Sequence, residues 1–194
     1  MLDLATGTAD VAIMAAEEKA GPTVLGIDPS SNMLEVGRQK VASKGLGEKV
    51  VLRMGDAQDL HDIGDGTFTK AKQVAISFGI RNVPDRPKAL REIRRVTDAS
   101  PSSDSVVAVM DLHVPSSGVL AGAAAFFIRY VAPLLGRLVT GRADEYAHLQ
   151  RSIFGFPDPE QWIATMRAAG LHVFEHHALC LGVVHLYVAR PADG

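Results

Sequence analysis

Three carboxylates stand where chemistry is done in open α/β sheets: Asp3 inside the first apolar run, Asp28 closing "TVLGID" and Asp56 following "VVLRM" in "GDAQDL". Asp28 lies 21 residues after Gly7. That interval suits an acid on a second strand gripping a ribose diol. Gly7 and Thr8 let backbone close on a ligand, and Asp3 attracts an ammonium group, directly or through water. Asp56 can accept from an adenine amino group while Ala57 donates its backbone N–H. A dinucleotide site would instead carry G-x-G-x-x-G, so that backbone can approach a pyrophosphate. Here Ala5, Thr8 and Asp10 occupy that region around a single glycine, and a loop bearing acids suits a pyrophosphate poorly. It suits a ligand with an adenosine ribose and a cationic amino-acid end, as in S-adenosyl-L-methionine. The alternative is a tight strand-to-helix turn with polar caps and no ligand.

These residues need elements to hold them. "LDL", "TVLGID", "VVLRM", "QVAIS" and "VVAVMD" are short apolar runs separated by helix-like segments. Residues 31–43 begin at Ser30 or Ser31, place Met33, Leu34, Val41 and Ala42 on one stripe and stop at Gly45. Residues 85–96 set Ala89, Leu90, Ile93 and Val96 at helical spacing behind Asp85 as N-cap. Strands alternating with helices predict a doubly wound α/β fold with a parallel sheet covered on both faces. The chain's end differs: Asp158-Pro159 opens a helix closed by Gly170, and "LHVFEHHAL" and "GVVHLYVAR" read as an antiparallel pair at one sheet edge.

The chain has 194 residues, 47% hydrophobic and 22% charged, which suits one domain, residues 1–194. A formal charge of -2 gives no basic excess, so nucleic acid is not an expected partner. One cysteine, Cys180, excludes an internal disulfide and is most simply a core or edge residue. No secretory signal opens the sequence. His172, His176, His177 and His185 lie on the edge strands, with adjacent His176 and His177 facing opposite ways, and no metal site is expected from them. His113, after the fifth strand, falls near a pocket mouth and offers a base whose ordinary pKa suits proton transfer; the alternative is a plain loop histidine. "GVLAGAAAFFIRYVAPLLGRLV", 118–139, has ten large apolar residues worth roughly 0.3–0.6 kcal/mol each against about 2.5–3.5 for a central Arg129, so its energy as a membrane span is near zero. Pro133 and Gly136 interrupt it. We read it as part of a helical cover over the active site, 115–156, that accommodates a prenyl tail and touches the bilayer; a core role is the alternative.

"LDLATGTAD", "GIDPSSNMLEVGRQK", "GDAQDL" and "AISFGIRNVPDRPKALREIRRV", with the later "DEYAHLQRSIFGFPDPEQWIATMRAAGL" and "LGVVHLYVA", resemble the UbiE/MenG quinone C-methyltransferases over nearly the whole chain. The first loop is shared by many methyltransferases; "SFGIRNV" and the "Y-x-x-L-x-x-SI" stretch followed by "FPD" are much more specific. The resemblance implies a seven-stranded, Rossmann-like class I methyltransferase fold with an antiparallel last strand. It implies S-adenosylmethionine contacts at Thr8, Asp28, Asp56, Ala57 and Ser77, an active site around Arg81 and Asn82, and Tyr146 and Ser152 as candidates to line a quinone pocket or to pack. The spacing alone also allows Arg81 a salt bridge with Asp85 or Asp111.

The implied reaction is C-methylation of a prenylated hydroquinone in ubiquinone or menaquinone biosynthesis. The implied setting is a membrane surface: the cytoplasmic face in a bacterium, or the matrix side of the mitochondrial inner membrane in a eukaryote. A homodimer or a quinone-synthesis complex is the expected assembly. Relatives carry helices before the first strand that cover cofactor and quinone, whereas this sequence starts within that strand. Thr69 and Lys70 stand where Phe-Asp is usual, and "VTDASPSSDS" replaces a basic, Pro-Gly-containing turn. Two other readings remain: a same-fold methyltransferase acting on another lipid or small phenol, and a noncatalytic partner in quinone synthesis.

Overall fold

Seven strands form one sheet in the order β3-β2-β1-β4-β5-β7-β6. They are β1 Leu2–Leu4, β2 Val24–Asp28, β3 Val50–Met54, β4 Gln73–Ser77, β5 Val106–Leu112, β6 Leu171–Leu179 and β7 Val184–Pro191. The helices are α1 Asp10–Glu17, α2 Ser31–Ser43, α3 Arg86–Val96, α4 Ala143–Phe154 and α5 Pro159–Ala168, with a 3₁₀ turn at Ile80–Asn82. The computed structural model describes residues 1–18, 21–63, 72–97, 104–115, 122 and 143–192. Thr69, Lys70, most of the "TDASPSSDS" stretch and, apart from Gly122, the apolar run 118–139 lie outside the described residues. Among the described residues no helix is long and apolar enough to cross a membrane.

β1 to β5 pair in parallel, while β7 runs antiparallel to both β5 and β6. The register aligns Leu4 with Ile27 and Ile76, Ser77 with Met110, and Leu112 and Leu179 with Val184. The ends of all the parallel strands and the β6–β7 turn therefore share one edge. The chain runs outward from β1 to β3 and then returns to the other side of β1 as β4, so the order reverses at the β1/β4 crevice, where ligands of such sheets bind.

The apolar runs become strands because both faces are covered: every residue of β1 and β2 is buried. β3 is an edge strand and leaves Val51 and Met54 exposed. α3 follows the expected stripe, with Ala89, Leu90, Ile93 and Val96 buried and the Asp85 side chain accepting from the Lys88 N–H. α2 departs from it. Its buried face is Leu34, Gly37 and Val41, whereas Met33 and Ala42 are exposed. The physical reason is Gly37: without a side chain there, the helix lies close on Leu52 and Ala9 and turns Met33 aside. Asp158 caps α5 by accepting from the Gln161 N–H.

Candidate active site

The loop after β1 is shaped by left-handed backbone at Ala5, Gly7 and Ala9, with φ of 51°, 56° and 67°. Across the crevice Phe78 is also left-handed, with φ 56°. Each non-glycine residue held this way costs about 1–2 kcal/mol, and such strain collects where function requires a fixed backbone. The loop passes so close to the end of β4 that a side chain at Gly79 would put its Cβ 2.3 Å from Ala5 Cβ. Asp28, 6% exposed, accepts from the Gly7 N–H at 2.9 Å on one oxygen and the Ser30 N–H at 2.8 Å on the other. Each oxygen keeps an acceptor position. Asp3, 1% exposed, accepts from the Thr6 hydroxyl at 2.5 Å. Burial, with the Asp28 charge adding to it, pushes Asp3 up to about 6 against the hydrogen bonds from Thr6 and the Ala12 N–H.

On the other side of the crevice the chemistry is carried by side chains. Arg81 in the 3₁₀ turn pairs with Asp111 of β5; their side chains are 10% and 0% exposed. The Arg81 backbone N–H donates to the second Asp111 oxygen at 3.0 Å, and its guanidinium donates to the Phe78 carbonyl at 2.7 Å. Arg86 donates to the Arg81 carbonyl at 2.9 Å and the Gly155 carbonyl at 3.4 Å, with its guanidinium 5.1 Å from the Phe156 ring centroid. The two most distinctive stretches of the sequence, "SFGIRN" and "FGFPD", thus meet through one arginine.

Beneath them lies an aromatic and histidine cluster. His113, 2% exposed, contacts Phe156 edge-on at 4.9 Å, and Phe156 packs on Trp162 at 4.8 Å. The Pro157 carbonyl accepts from His113, which leaves Nε2 to accept from the Tyr187 hydroxyl at 3.0 Å. Burial first, then repulsion from His185, lowers His113 to about 4. Burial raises the Tyr187 hydroxyl. His185 donates from Nε2 to the Gly182 carbonyl at 3.1 Å, so its Nδ1 accepts from His176 at 2.8 Å.

The sequence profile described as the ubiE/COQ5 methyltransferase family matches residues 1–190. This chain belongs to that family. It is 32% identical over 191 residues to the "Ubiquinone/menaquinone biosynthesis C-methyltransferase UbiE" of Geotalea daltonii, covering 98% of this chain and 77% of the relative. It is 37% identical over 192 residues to the "Demethylmenaquinone methyltransferase" of Thermus thermophilus, covering 98% and 82%. The fold matches a SAM-dependent methyltransferase from Aquifex aeolicus with a TM-score of 0.65 at 15% identity, over 97% of this chain and 79% of that one. A putative methyltransferase from Bacillus halodurans matches with a TM-score of 0.67 at 16% identity, over 99% and 92%.

In this ubiE/COQ5 family member the expected residues divide by what their side chains already do. Gly7, Asp28 and Ala57 are buried, and Ser77 is half-buried at the end of β4. Asp3 is buried and anchors the loop by accepting from Thr6. The Thr8 hydroxyl donates to Asp10 at 2.8 Å and accepts from Lys40 at 2.8 Å, which leaves it one acceptor position. Asp56 is exposed and accepts from the Gln58 N–H at 2.9 Å. Asn82 is exposed at the end of the turn. Ser152 donates to the Leu149 carbonyl at 2.9 Å, back onto its own helix. Tyr146 lies on α4, and its side chain is outside the described residues.

His113 departs from expectation. It is enclosed by Phe156, Tyr187 and His185 rather than set at a pocket mouth, with both ring nitrogens engaged and its proton affinity depressed, so it does not offer a free base. Arg81 takes the Asp111 salt bridge that its spacing allowed, buried rather than on the surface. His176 and His177 do face opposite ways, toward Tyr187 and Glu175 respectively. Of its two expected places, core or edge, Cys180 takes the edge: it is exposed in the β6–β7 turn. Among the described residues no group of three or more His, Cys, Asp or Glu side chains could hold a metal. Sequence reasoning did not single out Arg86, Phe156 or Tyr187, which the structure gathers around Arg81 and His113. Pattern alone makes Arg86 the first residue after a helix cap and Tyr187 a strand residue; only the partner of Arg81 hinted at a buried charge cluster.

Proposed function

We propose that this chain uses S-adenosyl-L-methionine to methylate a ring carbon of a prenylated hydroquinone in ubiquinone or menaquinone biosynthesis. The observation that carries the reading is the meeting of "SFGIRN" and "FGFPD" through Arg86, beside a glycine loop and a carboxylate at the same sheet edge. The names of the related proteins supply the substrate class. The loop residues fit the cofactor: Asp28 retains acceptor capacity for a ribose diol, and Gly7 offers backbone without a side chain. Ala57 and Ser77 are assigned, as part of this reading, to hold the cofactor from the ends of β3 and β4. When bound, S-adenosylmethionine supplies an electrophilic methyl group.

The chain's residues prepare the acceptor. A hydroquinone carbon becomes nucleophilic when the neighbouring hydroxyl ionises and its electron pair is delocalised to the ortho position. Arg81 is pinned to Asp111 and Phe78, so it fixes the turn that presents Asn82 and supplies N–H dipoles in a partly dry site. Asn82 orients the substrate oxygen. A ring held against these fixed groups needs little reorganisation at the moment of reaction. The prenyl tail makes a membrane surface the natural source of substrate, and we extend the proposal to a peripherally bound protein; flotation with liposomes that is reversed by carbonate or high salt is the expected behaviour.

Calorimetry with S-adenosylmethionine tests the reading. Asp28→Ala, folded, should bind it at least about a hundredfold more weakly, because two charge-assisted hydrogen bonds contribute roughly 1.5–3 kcal/mol each. The wild type should transfer a methyl group to a demethylquinol. No cofactor binding by the wild type would favour a noncatalytic partner, and methylation of simple phenols but no quinol would move the substrate class.

A further inference from the structure

Two arginines and one carboxylate meet at the carboxyl ends of β4 and β5, and the carboxylate serves one of them. Asp111 is engaged by Arg81 through both side chain and backbone, and it also accepts from the Leu112 N–H. Arg86 has no carboxylate partner among the described residues; its guanidinium is held by the Arg81 and Gly155 carbonyls and lies over Phe156. Carbonyl dipoles and a ring face orient a cation without cancelling its charge. Among the described residues nothing accepts from the buried Arg81 Nε–H and Arg86 Nε–H, a condition that costs free energy until something does. Burial lowers the proton affinity of Arg86 while Asp111 opposes the change, so this cation is held partly out of water.

Among the described residues, the charges on the surrounding elements do not neutralise it. On its own helix the Asp85 carboxylate is turned to the Lys88 N–H. Just after β5, His113 is neutral at pH 7 because burial brings its pKa down to about 4. His185 and His176 are likewise lowered by burial. Asp158 is an exposed helix cap, and Arg151 at the end of α4 is exposed and of the same sign.

We infer that Arg86 gives the acceptor site a positive charge that no described carboxylate pairs with, so that the site takes its hydroquinone as the phenolate. The step balances: the phenolic O–H bond breaks, the electron pair stays on oxygen and the proton passes to solvent water. The inference rests on the functional reading for the identity of the acceptor. It differs from it by assigning the charge to Arg86, since Arg81 is already neutralised by Asp111.

The test uses nitrohydroquinone, whose absorption reports its ionisation, titrated in the presence of the full chain. An opposite charge within a few ångströms lowers a pKa by about 1–3 units. The bound probe should ionise at lower pH than the free probe, and with Arg86→Gln it should ionise about one pH unit or more higher than with wild type. Arg86→Lys keeps the charge but not the fork and should titrate near wild type. Equal titrations with wild type and Arg86→Gln overturn the inference, as does Arg86→Lys behaving like Arg86→Gln. Should Arg86→Gln not fold, the wild type decides: a bound probe that ionises at the same pH as the free one overturns the inference. A wild type that ionises the probe but methylates no quinol overturns the functional reading and supports the charge assignment.

Discussion

The two sides of the crevice are built by different physics. On the β1–β2 side a strained loop is held by backbone N–H groups donating to Asp28, and the more deeply buried of its acids, Asp3, is pushed up to about 6. On the β4–β5–β7 side the contacts are made by side chains that reach groups 30, 69 and 74 residues away, and the buried base His113 is pushed down to about 4. A preset backbone suits a ligand that is the same in every turnover. Buried charge in a dry setting suits a group whose charge changes during the reaction. The two sides also respond to pH in opposite senses.

The largest break is expected on the side-chain side. Asp111→Asn leaves the Arg81 cation buried without its partner and should cost about 3–5 kcal/mol in urea unfolding; an unchanged midpoint would mean that the pair adds nothing. Removing both charges with apolar residues of similar size should cost less than Asp111→Asn alone.

Next comes pH. The folded pKa of His113, about 4, lies below its ordinary 6.5. Its contribution to stability is therefore full above 6.5 and lost as pH falls toward 4. The folded pKa of Asp3, about 6, lies above its ordinary 3.8, so its contribution is full below 3.8 and lost as pH rises through 6. Each is on the order of 3 kcal/mol, and across the shared window they oppose each other. Wild-type stability should thus be nearly flat there. Asp3→Asn should become less stable on acidification, and His113→Gln should become more stable. Parallel pH profiles for the two variants would refute the opposition.

A smaller effect is expected in the loop. Gly7→Ala at φ +56° meets the ε-methyl of Met33 3.0 Å from the new Cβ. It should cost about 1–2 kcal/mol and weaken S-adenosylmethionine binding without changing the nitrohydroquinone titration. A shift in both would show that the two sides are not separable. The smallest effect is Tyr187→Phe, which removes the O–H donated to His113 and should cost about 1 kcal/mol by thermal unfolding while raising the proton affinity of His113 little, because burial dominates its depression.

Much of this was legible because it is local. Asp85 and Asp158 announce helix starts by side chains that reach three residues along the chain, and the apolar runs announce strands buried on both faces. Asp28 was legible because the length of one strand–helix–strand unit fixes where a second-strand acid falls relative to the first loop. α2 misled because glycine carries no hydrophobic signal, yet Gly37 marks the face that packs closest. His113 misled because its position after β5 shows the sheet edge but not the rings of Phe156 and Tyr187 that close over it.

The sequence by itself determined the periodicities, the caps, the single-glycine loop and the acid that answers it, since each depends on neighbours within a turn of helix or one strand–helix–strand unit. Only the tertiary structure decided which charges cancel. Asp111 could serve Arg81 or Arg86, and the register of β4 against β5 brings it to Arg81. The return of the chain through Gly155 and Phe156 then holds Arg86 between carbonyls and a ring. Electrostatic pairing depends on distance through space in a medium of low dielectric, and spacing along the chain does not set that distance.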